Sequence, residues 1–277
     1  MYEHIEYDVT DPVATITLNR PDALNAWTPK MGREVDDALG RAEADRRVVG
    51  IVVTGAGRAF CAGADMNALD DLSAGGSDAS IAADGSGADG SDDAVEGEFT
   101  GRFPYLMTID KPIIAAVNGA VAGMAYPFSL CCDLRVGTPR SVFLTAFAQR
   151  GLIAEWGLSF LLPRLVGPAV ALDLLMSSRR VEGEEARSLG LLNELVEPDE
   201  LLAWCGDYIT TLAQRCSPAS IAVMKRQVYS ELHVGLGDAE RRAGELMQES
   251  FGRPDFREGV RSFMDKRDPD FARIGRD

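Results

Sequence analysis

Histidine is scarce in this chain: only His4 and His233 occur in 277 residues, and neither sits in a Cys/His cluster at zinc spacing. Neither histidine lies near a glycine turn where it could activate a serine or threonine, which disfavours a protease-like reaction. Metal is therefore not expected. Cysteine is limited to five, an odd number without paired spacing, which suits a reducing cytoplasm; adjacent Cys131 and Cys132 read as small core residues. No apolar run approaches the 18 residues of a membrane span, and no basic segment precedes an apolar stretch near the N-terminus. The expectation is a cytoplasmic protein without a membrane partner.

Basic residues are few as well. A formal charge of −15 argues against nucleic acid, whose phosphates need a basic face. The imbalance is local. Residues 70–98 hold nine acids and no lysine or arginine, and −6 remains when that segment is set aside. Within it, residues 73–97 are rich in Gly, Ser, Ala and Asp, a composition too poor in bulky apolar groups to offset its ordering entropy. Two readings stay open, a solvated flexible insertion or a flap over a binding site.

What is present is enough for a sizeable core, with 46% apolar residues. The run 48–54 reads as a buried parallel strand, and 13–19 alternates like a half-buried one. Thr28-Pro29 places a cap and a proline where a helix starts, followed by Met31, Val35 and Leu39 at i, i+4 spacing. After Gly167 the pattern turns mostly helical, with helices expected after Ser217-Pro218, over 240–251 and over 255–266.

Two glycine-bearing turns carry the chemistry. Residues 55–66 (GAGRAFCAGADM) follow the strand at 48–54 and lead into helical spacing, and residues 118–133 (NGAVAGMAYPFSLCCD) repeat the arrangement after a strand at 112–117. Unpaired N–H groups at such turns attract negative charge, although glycine after a strand also serves simply as a sharp turn.

These turns resemble the crotonase (enoyl-CoA hydratase/isomerase) superfamily. The resemblance begins at Asn19-Arg20-Pro21 and Leu24-Asn25-Ala26, runs through AFCAGAD and both turns, and continues through Leu162-Pro163-Arg164-Leu165-Val166-Gly167 to EGVRSFMDK at 258–266. It implies an α/β fold, a crotonase-like spiral of ββα units over 1–198 with a C-terminal helical oligomerisation region over 199–277, assembled as a homotrimer or a dimer of trimers. It also implies an acyl-CoA thioester substrate, with coenzyme A as part of the substrate and no tightly bound cofactor.

By resemblance, the backbone N–H groups of Ala64 and Met124 form an oxyanion hole, and Met124 stands where the family often has glycine. Leu24, Ala26 and Ala62 are implied to grip CoA, while Phe263 and Lys266 of a neighbouring subunit cover its adenosine and phosphates. Taken alone, Lys266 reads more often as a solvated surface lysine. Arg20 and Lys30 lie near the N-terminal part of that path. For the acyl pocket the candidates are Met66, Leu69, Phe103, Leu106 and Met107, whose helical spacing is equally that of a core face.

The two hydratase glutamates of the family fall on Pro127 and Phe147, which cannot move a proton. One carboxylate remains in a suggestive place. Glu155, in Ile153-Ala154-Glu155-Trp156-Gly157, precedes an apolar helix at 158–166, where some isomerases and a dehalogenase of the superfamily carry their acidic residue. It reads either as the acid/base or as a helix-start glutamate favoured by the dipole. Apolar neighbours Ile153, Trp156 and Leu158 would raise its pKa and the helix terminus would lower it, so the sequence leaves the sign open. A single carboxylate opposite an oxyanion hole suits double-bond isomerisation. Water addition by Glu155 alone, thioester or carbon–carbon hydrolysis, and a non-catalytic acyl-CoA binder are the alternatives.

Overall fold

The structure is a computed structural model that describes residues 1–66, 70, 99 and 101–275. The insertion at 73–97 and Leu69 lie outside the described residues.

Two sheets organise the chain. The first has six strands in the order β1 (Ile5–Thr10), β2 (Val13–Leu18), β3 (Gly50–Gly55), β5 (Ile113–Val117), β7 (Leu134–Gly137) and β10 (Glu194–Leu195). The opening pair is antiparallel and the rest are parallel. The second sheet runs β4 (Ala59–Cys61), β6 (Ala120–Ala122), β8 (Val142–Leu144) and β9 (Val181–Glu182), with only the last pair antiparallel. Consecutive strands therefore alternate between sheets: β3, β5 and β7 go to the first, β4, β6 and β8 to the second. That alternation is the structural repeat of a ββα spiral, and it arises without an obvious internal sequence repeat.

The buried strands follow from a period of two. On β3, Ile51 and Val53 enter the larger core while Val52 enters a second one, and on β5 Ile113, Ala115 and Val117 divide from Ile114 and Ala116 in the same way. A strand covered on both faces has no polar side, which is why these stretches read as continuous apolar runs. The larger core is closed by α1 (Pro29–Ala44), which buries Met31, Val35, Ala38, Leu39 and Ala42. Its start is fixed by Thr28, whose hydroxyl accepts the Met31 N–H at 3.1 Å, with Pro29 at the first helical position.

Among the described residues the remaining helices are α2 (Ala125–Cys131), α3 (Leu158–Val166), α4 (Pro168–Ser177), α5 (Gly183–Ser188), α6 (Leu201–Arg215), α7 (Pro218–Ser230), α8 (Leu236–Gly252) and α9 (Pro254–Asp265). Leu201, Cys205 and Ile209 of α6 fill the second core against β3 and β5, and Lys225 of α7 reaches Asp133 at 2.8 Å and the carbonyls of Leu106 and Lys111. Only α8 and α9 bury no apolar side chain. Among the described residues no helix is long and apolar enough to cross a membrane.

Candidate active site

The two glycine turns meet at the ends of adjacent parallel strands, β4 and β6. Gly63 and Gly123 both have positive φ, +97° and +51°. A β-carbon on Gly63 would lie 2.8 Å from the Ala122 carbonyl and 3.6 Å from the Gly123 Cα, so the two turns touch through backbone alone. Ala64 and Met124 each follow one of these glycines. Among the described residues neither N–H donates to a protein acceptor. Met124 caps α2 with ordinary right-handed torsions, φ −62° and ψ −21°, which a side chain tolerates without strain.

Both residues line one cavity of about 550 Å³, together with Ala23, Leu24, Ala26, Ala62 and Met66 from the earlier segments and Thr145, Ala146, Phe147, Arg150, Leu152, Glu155 and Trp156 from a later one. The earlier segments form a pair of backbone rails: Ala62 N–H donates to Leu24 O at 3.0 Å, Trp27 N–H to Gly63 O at 2.7 Å, and Asp65 N–H to Trp27 O at 3.0 Å. Asn25, buried and itself at φ +56°, pins the turn that shapes these rails by donating to the carbonyls of Ala56 and Ala59. Leu24, Ala26 and Ala62 are thus brought to the cavity beside Ala64 and Met124.

Glu155 is also there, half-buried in the lining of the same cavity. It precedes α3 without joining it; Gly157 caps the helix in a left-handed conformation, and the Glu155 carbonyl accepts the Leu158 N–H. Desolvation raises its carboxyl above the ordinary glutamate range, which settles the sign that sequence left open. The source of that burial differs from expectation. Ile153 is exposed and Leu158 belongs to the core, leaving Trp156 as the expected apolar neighbour that shares the cavity wall. Trp156 takes φ +48°, an uncommon value for a bulky residue, and its ring packs edge-on to Phe103 at 5.9 Å and tilted against Phe147 at 6.3 Å.

Pro127 and Phe147, on the positions of the hydratase glutamates, have separate fates. Pro127 is buried in the first turn of α2, where a missing N–H costs nothing. Phe147 lines the cavity and supplies apolar wall.

Several expectations meet a different placement. Phe103, Leu106 and Met107 are buried in the main core rather than on the cavity lining; the short turn at Pro104–Thr108 directs Leu106 and Met107 inward beneath the wall, so their helical spacing was that of a core face. Met66 lines the cavity, while Leu69 cannot be placed. Phe263 is 84% exposed on α9, and neither it nor Lys266 lines the cavity within the single chain. Arg20 is engaged by Asp65 at 2.9 Å and by the Ala26 carbonyl at 2.6 Å, and Lys30 pairs with Glu3. Sequence reasoning passed over Arg150 and Leu152. Their only signal was their position between the Phe147 slot and Glu155.

Cys61, three residues ahead of Ala64, is not a nucleophile in waiting: full burial pushes its thiol up to about 12, so it stays protonated. Among the described residues no group of three or more His, Cys, Asp or Glu side chains could hold a metal ion.

An alternating two-sheet ββα spiral with two glycine turns meeting at an apolar cleft is the crotonase fold class. Comparison with known proteins gives the family. The model of the enoyl-CoA hydratase/isomerase family matches residues 8–273, and the chain belongs to that family. It is 33% identical to a probable enoyl-CoA hydratase of Rhodobacter capsulatus, covering 98% of both chains. It is 32% identical to the 1,2-epoxyphenylacetyl-CoA isomerase of Escherichia coli, covering 98% of this chain and 99% of the other. The crystal structure of an enoyl-CoA hydratase/isomerase from Mycobacterium paratuberculosis superposes with a TM-score of 0.81 at 31% identity, covering 98% of each chain.

Proposed function

We propose that this protein isomerises the double bond of an enoyl-CoA thioester, with Glu155 as the one acid/base and the Ala64 and Met124 N–H groups as the oxyanion hole. The observation that carries the reading is a lone carboxylate, desolvated and sharing a cavity with two uncommitted amides, while Pro127 and Phe147 stand on the positions of the two carboxylates that water addition would use.

The chemistry follows from those groups. Glu155, ionised, takes a proton from C2 of a 3-enoyl thioester. The electron pair of the broken C2–H bond spreads into the thioester carbonyl and the C3–C4 double bond, and charge grows on the carbonyl oxygen. Two fixed N–H donors stabilise that charge without reorganising, and losing one donor in such a site costs on the order of 10²–10³ in rate. The neutral Glu155 then returns the proton to C4, and the double bond ends between C2 and C3. A raised pKa helps both halves, since it strengthens the base and keeps the acid within reach. Coenzyme A is part of the substrate, held by the Leu24–Ala26 and Ala62 rails, and no resident cofactor enters the cycle. Phe263 and Lys266 serve a neighbouring copy in a trimer or a pair of trimers.

Incubation with 3-enoyl-CoA in deuterated water tests the reading. Formation of the 2-enoyl product, abolished in Glu155→Gln, is the expected result, with deuterium at C4 in the fraction of turnovers in which the Glu155 proton exchanges with solvent before it is returned. A 3-hydroxyacyl product formed at a comparable rate would favour hydration instead, and no exchange despite tight binding would favour a non-catalytic binder.

A further inference from the structure

Arg150 is the only cation among the described residues that line the cavity, and Glu155 is the only anion. The two are not partners. Glu155 owes its raised pKa to desolvation alone, with no contribution from a neighbouring positive charge, and among the described residues Arg150 makes no ion pair; its one side-chain hydrogen bond is donated to the Ala146 carbonyl at 3.0 Å. The guanidinium is therefore anchored at one corner and keeps its remaining donors for something else. Two cations of the N-terminal segment are committed, Arg20 to Asp65 and Lys30 to Glu3.

Its place in the chain says which end of a ligand it faces. Arg150 closes the short turn Ala148–Arg150, on the loop between β8 and α3 that also supplies Phe147, Leu152, Glu155 and Trp156. That loop also carries Glu155, the acid/base proposed above, while the Leu24–Ala26 and Ala62 rails reach the same cavity from other segments. Ala146, which fixes the guanidinium, holds φ +61° at the root of the same turn. A purely aliphatic acyl group has no use for an uncompensated guanidinium beside an apolar wall.

Resting on the acyl-CoA reading above, we propose that Arg150 is a specificity residue for acyl groups bearing a distal carboxylate, so that the preferred substrates are monothioesters of unsaturated dicarboxylic acids. A planar guanidinium matches a carboxylate in two-point geometry, and Arg150, exposed where it lines the cavity, keeps its free donors open to an incoming carboxylate.

The test compares an ω-carboxy-3-enoyl-CoA with the methyl-terminated 3-enoyl-CoA of equal length, as a ratio of kcat/KM. The expected ratio favours the carboxylate in the native protein and falls roughly 10- to 100-fold in Arg150→Gln, with partial recovery in Arg150→Lys. A ratio that does not change in Arg150→Gln overturns the proposal, and so does an equal loss on both substrates, which would assign the arginine to CoA phosphates. Binding of the corresponding saturated, unreactive thioesters separates this from the choice of reaction. Arg150-dependent preference for the saturated ω-carboxyacyl-CoA, without isomerase turnover, upholds the specificity and removes the isomerisation; turnover without that preference does the reverse.

Discussion

At the scale of single residues, Glu155 joins a functional gain to a folding cost. A carboxyl whose pKa is raised in the fold is penalised as pH climbs past its unfolded value, and the full penalty is present above its folded value. Below both values the penalty vanishes. Glu155→Gln should therefore lose activity by about 10²–10⁴ while its melting temperature at neutral pH equals or exceeds that of the native protein, an advantage that fades on acidification. Activity assays paired with thermal melts across pH check both arms; a destabilised, partly active variant would remove Glu155 from the mechanism. The same shift sets a pH profile. Because Glu155 must be ionised to abstract the proton, the acid limb of kcat/KM should sit above the ordinary glutamate value, and it should disappear from the residual activity of Glu155→Gln. Gly63 offers a backbone counterpart. Gly63→Ala forces a methyl to 2.8 Å from the Ala122 carbonyl at φ +97°, so the Ala64 amide must shift. A loss on the order of 10² in kcat with a smaller effect on KM is expected from steady-state kinetics.

At the scale of elements, what was legible and what was not divides along local physics. Strands β3 and β5 and helix α3 showed in the sequence because their neighbours in the chain share a burial pattern, and Thr28-Pro29 showed because a cap is a local hydrogen bond. The glycine turns were legible for the same reason. The acyl wall was not, because Phe103, Leu106 and Met107 carry the spacing of any buried face, and only the fold decides that they lie beneath the lining. Nor could local pattern disclose that Trp156 and Ala146 take left-handed torsions; Trp156 holds its own with its ring packed against Phe103 and Phe147. The role of α7 was equally hidden. Its Lys225 is buried against Asp133, whose carboxylate also accepts the Ile113 N–H at 2.7 Å and the Tyr229 hydroxyl at 2.9 Å, so one carboxylate ties α7 to β5. Lys225→Met leaves that carboxylate short of its cation in the interior and should cost about 3–5 kcal/mol, read as a lowered denaturation midpoint with an unchanged slope.

At the scale of the molecule, α8 and α9 are the elements that a single chain does not explain. They bury no apolar side chain of their own, yet Met247, Phe251, Phe256, Val260, Phe263 and Met264 are each at least 46% exposed. An isolated chain has little reason to keep such a surface wet, and a symmetric assembly would cover it. Light scattering should give three or six times the chain mass. If Phe263 reaches a neighbour's CoA site, Phe263→Ala should raise KM roughly tenfold, the loss of one aromatic anchor. The decisive measurement mixes this variant with Glu155→Gln. Each parent lacks one half of every site, but a Phe263→Ala chain keeps its own Glu155, and beside it a Glu155→Gln chain keeps Phe263. After dissociation and reassembly together, the mixture should exceed the summed activity of the two parents at low substrate concentration. Activity equal to that sum would mean that each chain builds its site alone and that the exposed face of α9 serves another contact.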